Sequence, residues 1–164
     1  MLPILRPLRV RLILEPGRFI VGNAGILLTE VLYVKHSRGK RFAVVDAGMN
    51  DLVRPALYGA YHEVIPAGPM VSASSGQARY DVVGPVCESA DVLARNRRLG
   101  AIRSGQLLAV LGAGAYGSTM ASNYNGRLRP AEVLVRGSKW ALIRKRETLA
   151  DLVRHDVIPT AMLK

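Results

Sequence analysis

Four short segments carry side chains whose types and spacing could do chemistry. Glu15-Pro16-Gly17-Arg18 sets a carboxylate and a guanidinium on one rigid elbow, since proline presets φ and glycine is free to take φ > 0. A carboxylate held this way can pair with a protonated ring nitrogen, and an arginine can grip phosphate or carboxylate through parallel N–H donors. A plain surface turn is the simpler reading of Pro-Gly alone. Arg54 and Tyr58 stand four residues apart in Arg54-Pro-Ala-Leu-Tyr58 and share a face if that segment is helical; solvated surface is the bland alternative. Cys87-Glu88 puts the chain's single thiol next to a carboxylate. A lone cysteine is commonly just a buried apolar group, but the Gly84-Pro85 break before it suggests a loop from which the thiol can reach a ligand. Gly112-Ala-Gly-Ala-Tyr116-Gly117 is a literal G-x-G-x-x-G after an apolar run. A dinucleotide site needs a helix next, and Asn125-Gly126 turns the chain before a long one can form. The better reading is a glycine-rich turn where backbone comes close to another part of the chain. His36, His62 and His155 lack ligand spacing, so no metal site is expected, and there is no nucleophile elbow.

The elements that must position these residues read mainly as strands. Gly25–Lys35 is rich in β-branched and aromatic residues, His36–Lys40 reads as a turn, and Arg41–Asp46 as the returning strand. A second hairpin is expected around Arg136–Lys139, with further strands at Tyr61–Ala67, Tyr80–Val86 and Gln106–Leu111. Helix is scarce: a turn or two over Ser89–Ala94 with Ser89 as N-cap, and a short helix over Glu147–Val153. Ser72–Gly76 reads as a loop. The expected fold is one mainly β domain, a Greek-key-like barrel or sandwich with a few short helices.

The chain has 164 residues, 49% hydrophobic and 21% charged, a balance that argues against disorder and for one real core. No stretch is long and apolar enough to span a bilayer, no targeting peptide is evident, and one cysteine excludes an internal disulfide framework, so a cytoplasmic protein is expected. The 23 Lys+Arg against 12 Asp+Glu give a net charge of +11, which raises nucleic acid, an anionic surface or an anionic ligand as partners. Base-stacking support for nucleic acid is thin: basic and aromatic residues do not interleave.

Taken together and in order, Glu15-Pro-Gly-Arg18, Asp46-Ala-Gly-Met-Asn50, Arg54-Pro-Ala-Leu-Tyr58, Gly84-Pro-Val-Cys-Glu-Ser89 and Gly114-Ala-Tyr-Gly117 resemble the C-terminal half of the diaminopimelate decarboxylases, relatives of ornithine decarboxylase and alanine racemase. The resemblance runs from about Leu14 to Pro159. It implies a pyridoxal 5'-phosphate enzyme that converts meso-diaminopimelate to L-lysine and carbon dioxide. It also implies a (β/α)8 barrel whose lysine holds the cofactor, followed by a β domain, in a head-to-tail homodimer with active sites at the subunit interface. Carried onto this sequence, Glu15 would face the cofactor's pyridine nitrogen, while Pro16, Gly17 and Arg18 would line the cofactor. Arg18 would also reach substrate carboxylate. Arg54, Tyr58 and Glu88 would bind the distal end of diaminopimelate, and Tyr116 would contact both cofactor and substrate. Cys87, given across the dimer interface, would return the proton. The glutamate after the cysteine favours this branch over the ornithine one, which usually has aspartate there.

Only 14 residues precede Glu15, so residues 1–14 are expected to be the end of a barrel or a leader, and 15–164 the single C-terminal β domain. All five lysines lie outside the resembling motifs. The expectation is therefore a domain inactive alone, or half of a split enzyme completed by a separate barrel chain. The other classes considered are a basic nucleic-acid-binding module and a decoy subunit that pairs with an intact decarboxylase.

Overall fold

The structure, a computed structural model, describes residues 2–8, 10–68 and 78–162; the loop expected at Ser72–Gly76 lies outside them. Two short helical segments, α1 (Leu2–Leu5) and α2 (Arg18–Val21), come before the first strand. Strands β1 (Ile26–Ser37) and β2 (Lys40–Val45) then form an antiparallel hairpin. Its turn is Arg38-Gly39, with φ of 50° and 75°. Two successive residues at positive φ make the tight turn whose twist suits the strands, so β1 continues through His36 and Ser37, which we expected in the turn. After β2 come α3 (Arg54–Tyr58), β3 (Val64–Ala67), β4 (Arg79–Val83), β5 (Val92–Arg98) and β6 (Leu107–Leu111). The six strands make one sheet in the order β3-β6-β1-β2-β4-β5, antiparallel throughout except for β2 beside β4. The second hairpin, β7 (Glu132–Arg136) with β8 (Lys139–Arg144), is where the sequence placed it and pairs only within itself. The fold is mainly β, as expected.

Alternation along the strands decides the core. Val31, Val45, Val82, Leu93, Leu108 and Val110 turn inward and pack with Leu52. Each such side chain contributes about 1.5–3 kcal/mol when fully removed from water. Register shifts in β1 and β4 add bend to the sheet. Its outermost strands curl toward each other. Arg97 of β5 donates from Nη2 to the His62 carbonyl just before β3 (3.3 Å), and its guanidinium carbon stands 3.9 Å from the Tyr61 ring centroid.

The strands expected over Tyr61–Ala67 and Tyr80–Val86 are shorter, Val64–Ala67 and Arg79–Val83, and the helical turn expected next fails outright. Ser89–Ala94 is not a helical turn: Ser89-Ala90 is a tight turn and Val92 onward is β5. Val92 pairs with Val83, and Leu93 enters the core. Those contacts outweigh what an isolated one- or two-turn helix can offer. The helix expected from Glu147 begins instead at Leu149, as α4 (Leu149–Val153). Asp151 accepts from the Thr148 amide (2.8 Å) and hydroxyl (2.7 Å), fixing the start there.

Glu147 is drawn elsewhere. Its carboxylate pairs with the Arg129 side chain and accepts from the Arg129 amide (2.8 Å) and Asn123 Nδ2 (2.6 Å). The Arg129 side chain, then its amide, then Asn123 hold the Glu147 carboxyl down at about 2. A depressed carboxylate lends stability above its unfolded value near 4.5 and loses it as pH falls through the folded one. The link between residues 123–129 and the segment after β8 is therefore expected to hold at neutral pH and release between about pH 4.5 and 2. A carboxyl-carbon NMR titration of Glu147 should give a midpoint near 2; an ordinary midpoint would show the link does not form in solution.

Candidate functional site

At one end of the sheet, two glycines let the segment before β1 touch the loop after β6. Gly114 N–H donates to the Gly22 carbonyl (3.0 Å) and Ala113 N–H to the Gly25 carbonyl (2.9 Å). A Cβ on Gly25 would run into the Gly114 backbone, and one on Gly114 into the Val21 carbonyl. This is the close backbone approach expected of the glycine-rich segment. The next element is a single 3-10 turn, Ser118–Met120, with no long helix for a dinucleotide.

The contact carries Tyr116 to the Glu15–Arg18 elbow. Tyr116 is held at φ 61°, unusual for a side chain of its size, and a Cβ at Gly17 would lie 3.7 Å from its hydroxyl. Arg54 opens α3, whose single turn brings Tyr58 back over it and ends at left-handed Gly59. The Arg54 guanidinium carbon lies 5.7 Å from the Tyr58 ring centroid and 5.4 Å from that of Tyr116. Its Nε is buried without a hydrogen-bond partner. Gly17, Arg54, Tyr58 and Tyr116 thus form one group. Glu15, Pro16 and Arg18 share Gly17's elbow and are exposed, with the Pro16 carbonyl accepting from Phe19 N–H (2.9 Å). A guanidinium set over two aromatic faces suits a carboxylate or phosphate partner.

Cys87 and Glu88 lie apart from that group, exposed in the loop between β4 and β5. Among the described residues no hydrogen bond or ring contact joins them to it. Glu88 accepts from the Ala90 amide (3.2 Å) and gives its own N–H to the Val86 carbonyl (2.8 Å).

Three residues that sequence reasoning passed over support these loops: Asp91 joins the Cys87 loop to Met49, while Asp51 and Arg127 hold residues 46–50. Asp91, 3% exposed, accepts from Val86 N–H (2.7 Å) and from Met49 N–H (2.7 Å). Asp51, also buried, accepts from Gly48 N–H (2.8 Å) and Asn50 Nδ2 (2.8 Å). Arg127 donates from Nε to Asn50 Oδ1 (2.9 Å) and from Nη2 to the Asp46 carbonyl (2.6 Å). Burial pushes both carboxyls above their ordinary values, against the pull of those amides and of Arg127. The spacing Gly48-x-x-Asp51 is a signal for the second of these; Asp91 had none as local as that. Part of the surplus positive charge gathers at the other end of the sheet, in a groove lined by Lys40, Arg41, Arg79 and Arg95. Among the described residues no helix is long and apolar enough to cross a membrane.

Known proteins resemble this chain over most of its length. The family model for the pyridoxal-dependent decarboxylase C-terminal sheet domain matches residues 18–114, more than half of the chain. A diaminopimelate decarboxylase of Zymomonas mobilis is 54% identical over 146 residues, covering 89% of this chain and 34% of that protein. One from Archaeoglobus fulgidus is 51% identical over 150 residues, covering 92% and 35%. Among solved structures, the diaminopimelate decarboxylase of M. jannaschii in complex with L-lysine superposes with a TM-score of 0.84 at 43% identity, covering 92% of this chain and 34% of that one. The Helicobacter pylori enzyme with L-lysine gives 0.80 at 45%, covering 93% and 37%. The chain spans about a third of the length of the curated relatives it matches. With its curled sheet and the matching run from Arg18 to Gly114, the chain belongs to the pyridoxal-dependent decarboxylases, as their C-terminal sheet domain.

Proposed function

We propose that this chain supplies the C-terminal part of a diaminopimelate decarboxylase active site, acting on meso-diaminopimelate to release carbon dioxide and L-lysine. The observation that carries this reading is Arg54, set over the Tyr58 and Tyr116 rings with its Nε buried and partnerless, while the Tyr116 hydroxyl faces Gly17. Diaminopimelate bears two carboxylates and two ammonium groups, so its far end calls for a cation and an anion. Arg54 and Glu88 supply them, with Tyr58 alongside. The elbow fits pyridoxal phosphate: Glu15 offers a carboxylate to its ring nitrogen, Gly17 leaves room in front of the Tyr116 hydroxyl, and Arg18 adds a second cation. Bound there, the cofactor supplies a ring that accepts the electron pair left behind as carbon dioxide departs. Glu15 keeps the ring nitrogen protonated. Cys87 returns a proton to the carbon that lost its carboxylate.

The 164 residues need a barrel carrying the cofactor's lysine, and Cys87 and Glu88 serve a site shared with a second subunit. The stretches of the relatives outside the matched third are where the resemblance puts that barrel. The test mixes the purified chain with pyridoxal phosphate and diaminopimelate and measures carbon dioxide, alone and with a lysine-bearing barrel from a family member. No release alone and release with the barrel is the expected result. Turnover by the chain alone would overturn the need for a barrel. No turnover with a barrel that works with its own C-terminal domain would overturn the assignment.

A further inference from the structure

We propose that Asp91 is the positioning residue for the Cys87–Glu88 pair, its carboxylate clamping their loop to the loop that leads into Arg54 and Tyr58. The geometry is specific. One oxygen, Oδ2, accepts from Val86 N–H directly before Cys87, and the other, Oδ1, from Met49 N–H (both 2.7 Å). Asp91 also closes the turn through its own backbone: its N–H donates to the Glu88 carbonyl (3.0 Å) and its carbonyl accepts from Gly84 N–H (3.1 Å). Glycines wall the carboxylate in. A Cβ on Gly84 would collide with it, and one on Gly48 would stand 3.3 Å from Oδ2. From Met49 the chain reaches Arg54 through Asp51, whose own carboxylate pins Gly48, and through buried Leu52. One buried group therefore couples the turn bearing the thiol to the start of α3. Only a carboxylate can serve, because both of its oxygens accept; an asparagine would aim an NH2 at one of the two amides.

The catalytic consequence rests on the function proposed above; the clamp itself does not, and the experiment separates them. In the chain alone, Asp91→Asn should lower hydrogen-exchange protection of the Met49 and Val86 amides by roughly tenfold or more, while Val45 and Val110 in the core stay protected. If Asp91→Asn does not fold, Asp91→Ser, which keeps one acceptor, should free one of the two amides. In enzyme assembled with a barrel, Asp91→Asn should lower kcat/KM for diaminopimelate by roughly tenfold or more and raise the solvent deuterium isotope effect on kcat, since proton return from a misplaced Cys87 becomes slow. Val82→Ala, a core change with a similar loss of Tm, should leave the isotope effect unchanged. Unaltered protection of Met49 and Val86 would overturn the clamp. Lost protection with unchanged kinetics and isotope effect would overturn positioning. Should the unsubstituted mixture be inactive, the assignment to diaminopimelate fails, and the amide protection alone decides the clamp.

Discussion

Gly114→Ala is expected to destabilise the domain by about 3 kcal/mol, with Tm falling by roughly 10 °C. The added methyl meets backbone on every side: the Val21 carbonyl, the Gly25 nitrogen at 2.7 Å and the Val21 carbonyl carbon at 3.1 Å. None of these can rotate away as the tip of a long side chain would. To make room, the 112–117 loop must retreat and give up two hydrogen bonds, Gly114 to Gly22 and Ala113 to Gly25, each worth about 1 kcal/mol. Overpacking strain of about 1–3 kcal/mol adds to that. A domain of this kind holds only about 5–15 kcal/mol in total, so the loss is large. Gly39→Ala is the control. It faces open space at φ 75° and should cost only the strain of its left-handed backbone, about 1 kcal/mol. Thermal unfolding followed by circular dichroism distinguishes the two, and equal losses would show that the loops can part without cost. Because the same contact presents Tyr116 to Gly17, the variant should also lose any function that depends on that pair.

The second large effect is functional. In enzyme assembled with a barrel, Arg54→Ala is expected to lower kcat/KM for diaminopimelate by about 10²–10³-fold, since removing one partner of a desolvated charge pair typically costs about 2–5 kcal/mol. The fold should survive: the side chain's described contacts are the two tyrosine faces, and its Nε has no partner to leave stranded. Arg54→Lys should recover little, because an ammonium cannot lie flat between Tyr58 and Tyr116 or present two parallel donors. A substrate analogue lacking the distal carboxylate sharpens the test. It should be turned over equally poorly by the unsubstituted enzyme and by Arg54→Ala. A variant that hurts both substrates alike would mean that Arg54 holds the loop rather than the ligand.

The features legible in the chain were those that depend on near neighbours. The two hairpins arise from alternating apolar runs broken at Arg38-Gly39 and Gly137-Ser138. The Arg54–Tyr58 pairing comes from helical spacing once Gly59 ends the turn. Gly114 was legible as a residue that needs room, but not what it would meet, because Val21 and Gly25 are about ninety positions away. Ser89–Ala94 misled for a related reason. Its local capping signal was sound, yet Leu93 and Val92 answer to a core and a strand partner elsewhere in the chain. Asp91 lies within that same expected helical turn. Its meaning lies in Met49, 42 residues away, and no pattern of neighbours encodes that partner. Arg127 reaches still further, 77 residues to Asn50.

The Arg97 bridge bears on how much change the interior can absorb. A barrel closed by a full ladder of backbone hydrogen bonds has a girth set by strand number and stagger. Here β3 and β5 remain the free edges of the sheet, and a guanidinium rather than a ladder spans the gap. A flexible side chain can lengthen or shorten its reach by a fraction of an ångström where paired strands cannot. An extra methylene near Val64 or Leu93, on the strands that flank the gap, can then be taken up by widening the seam. The same addition at Val31 or Val45, between strands paired on both sides, has no such outlet.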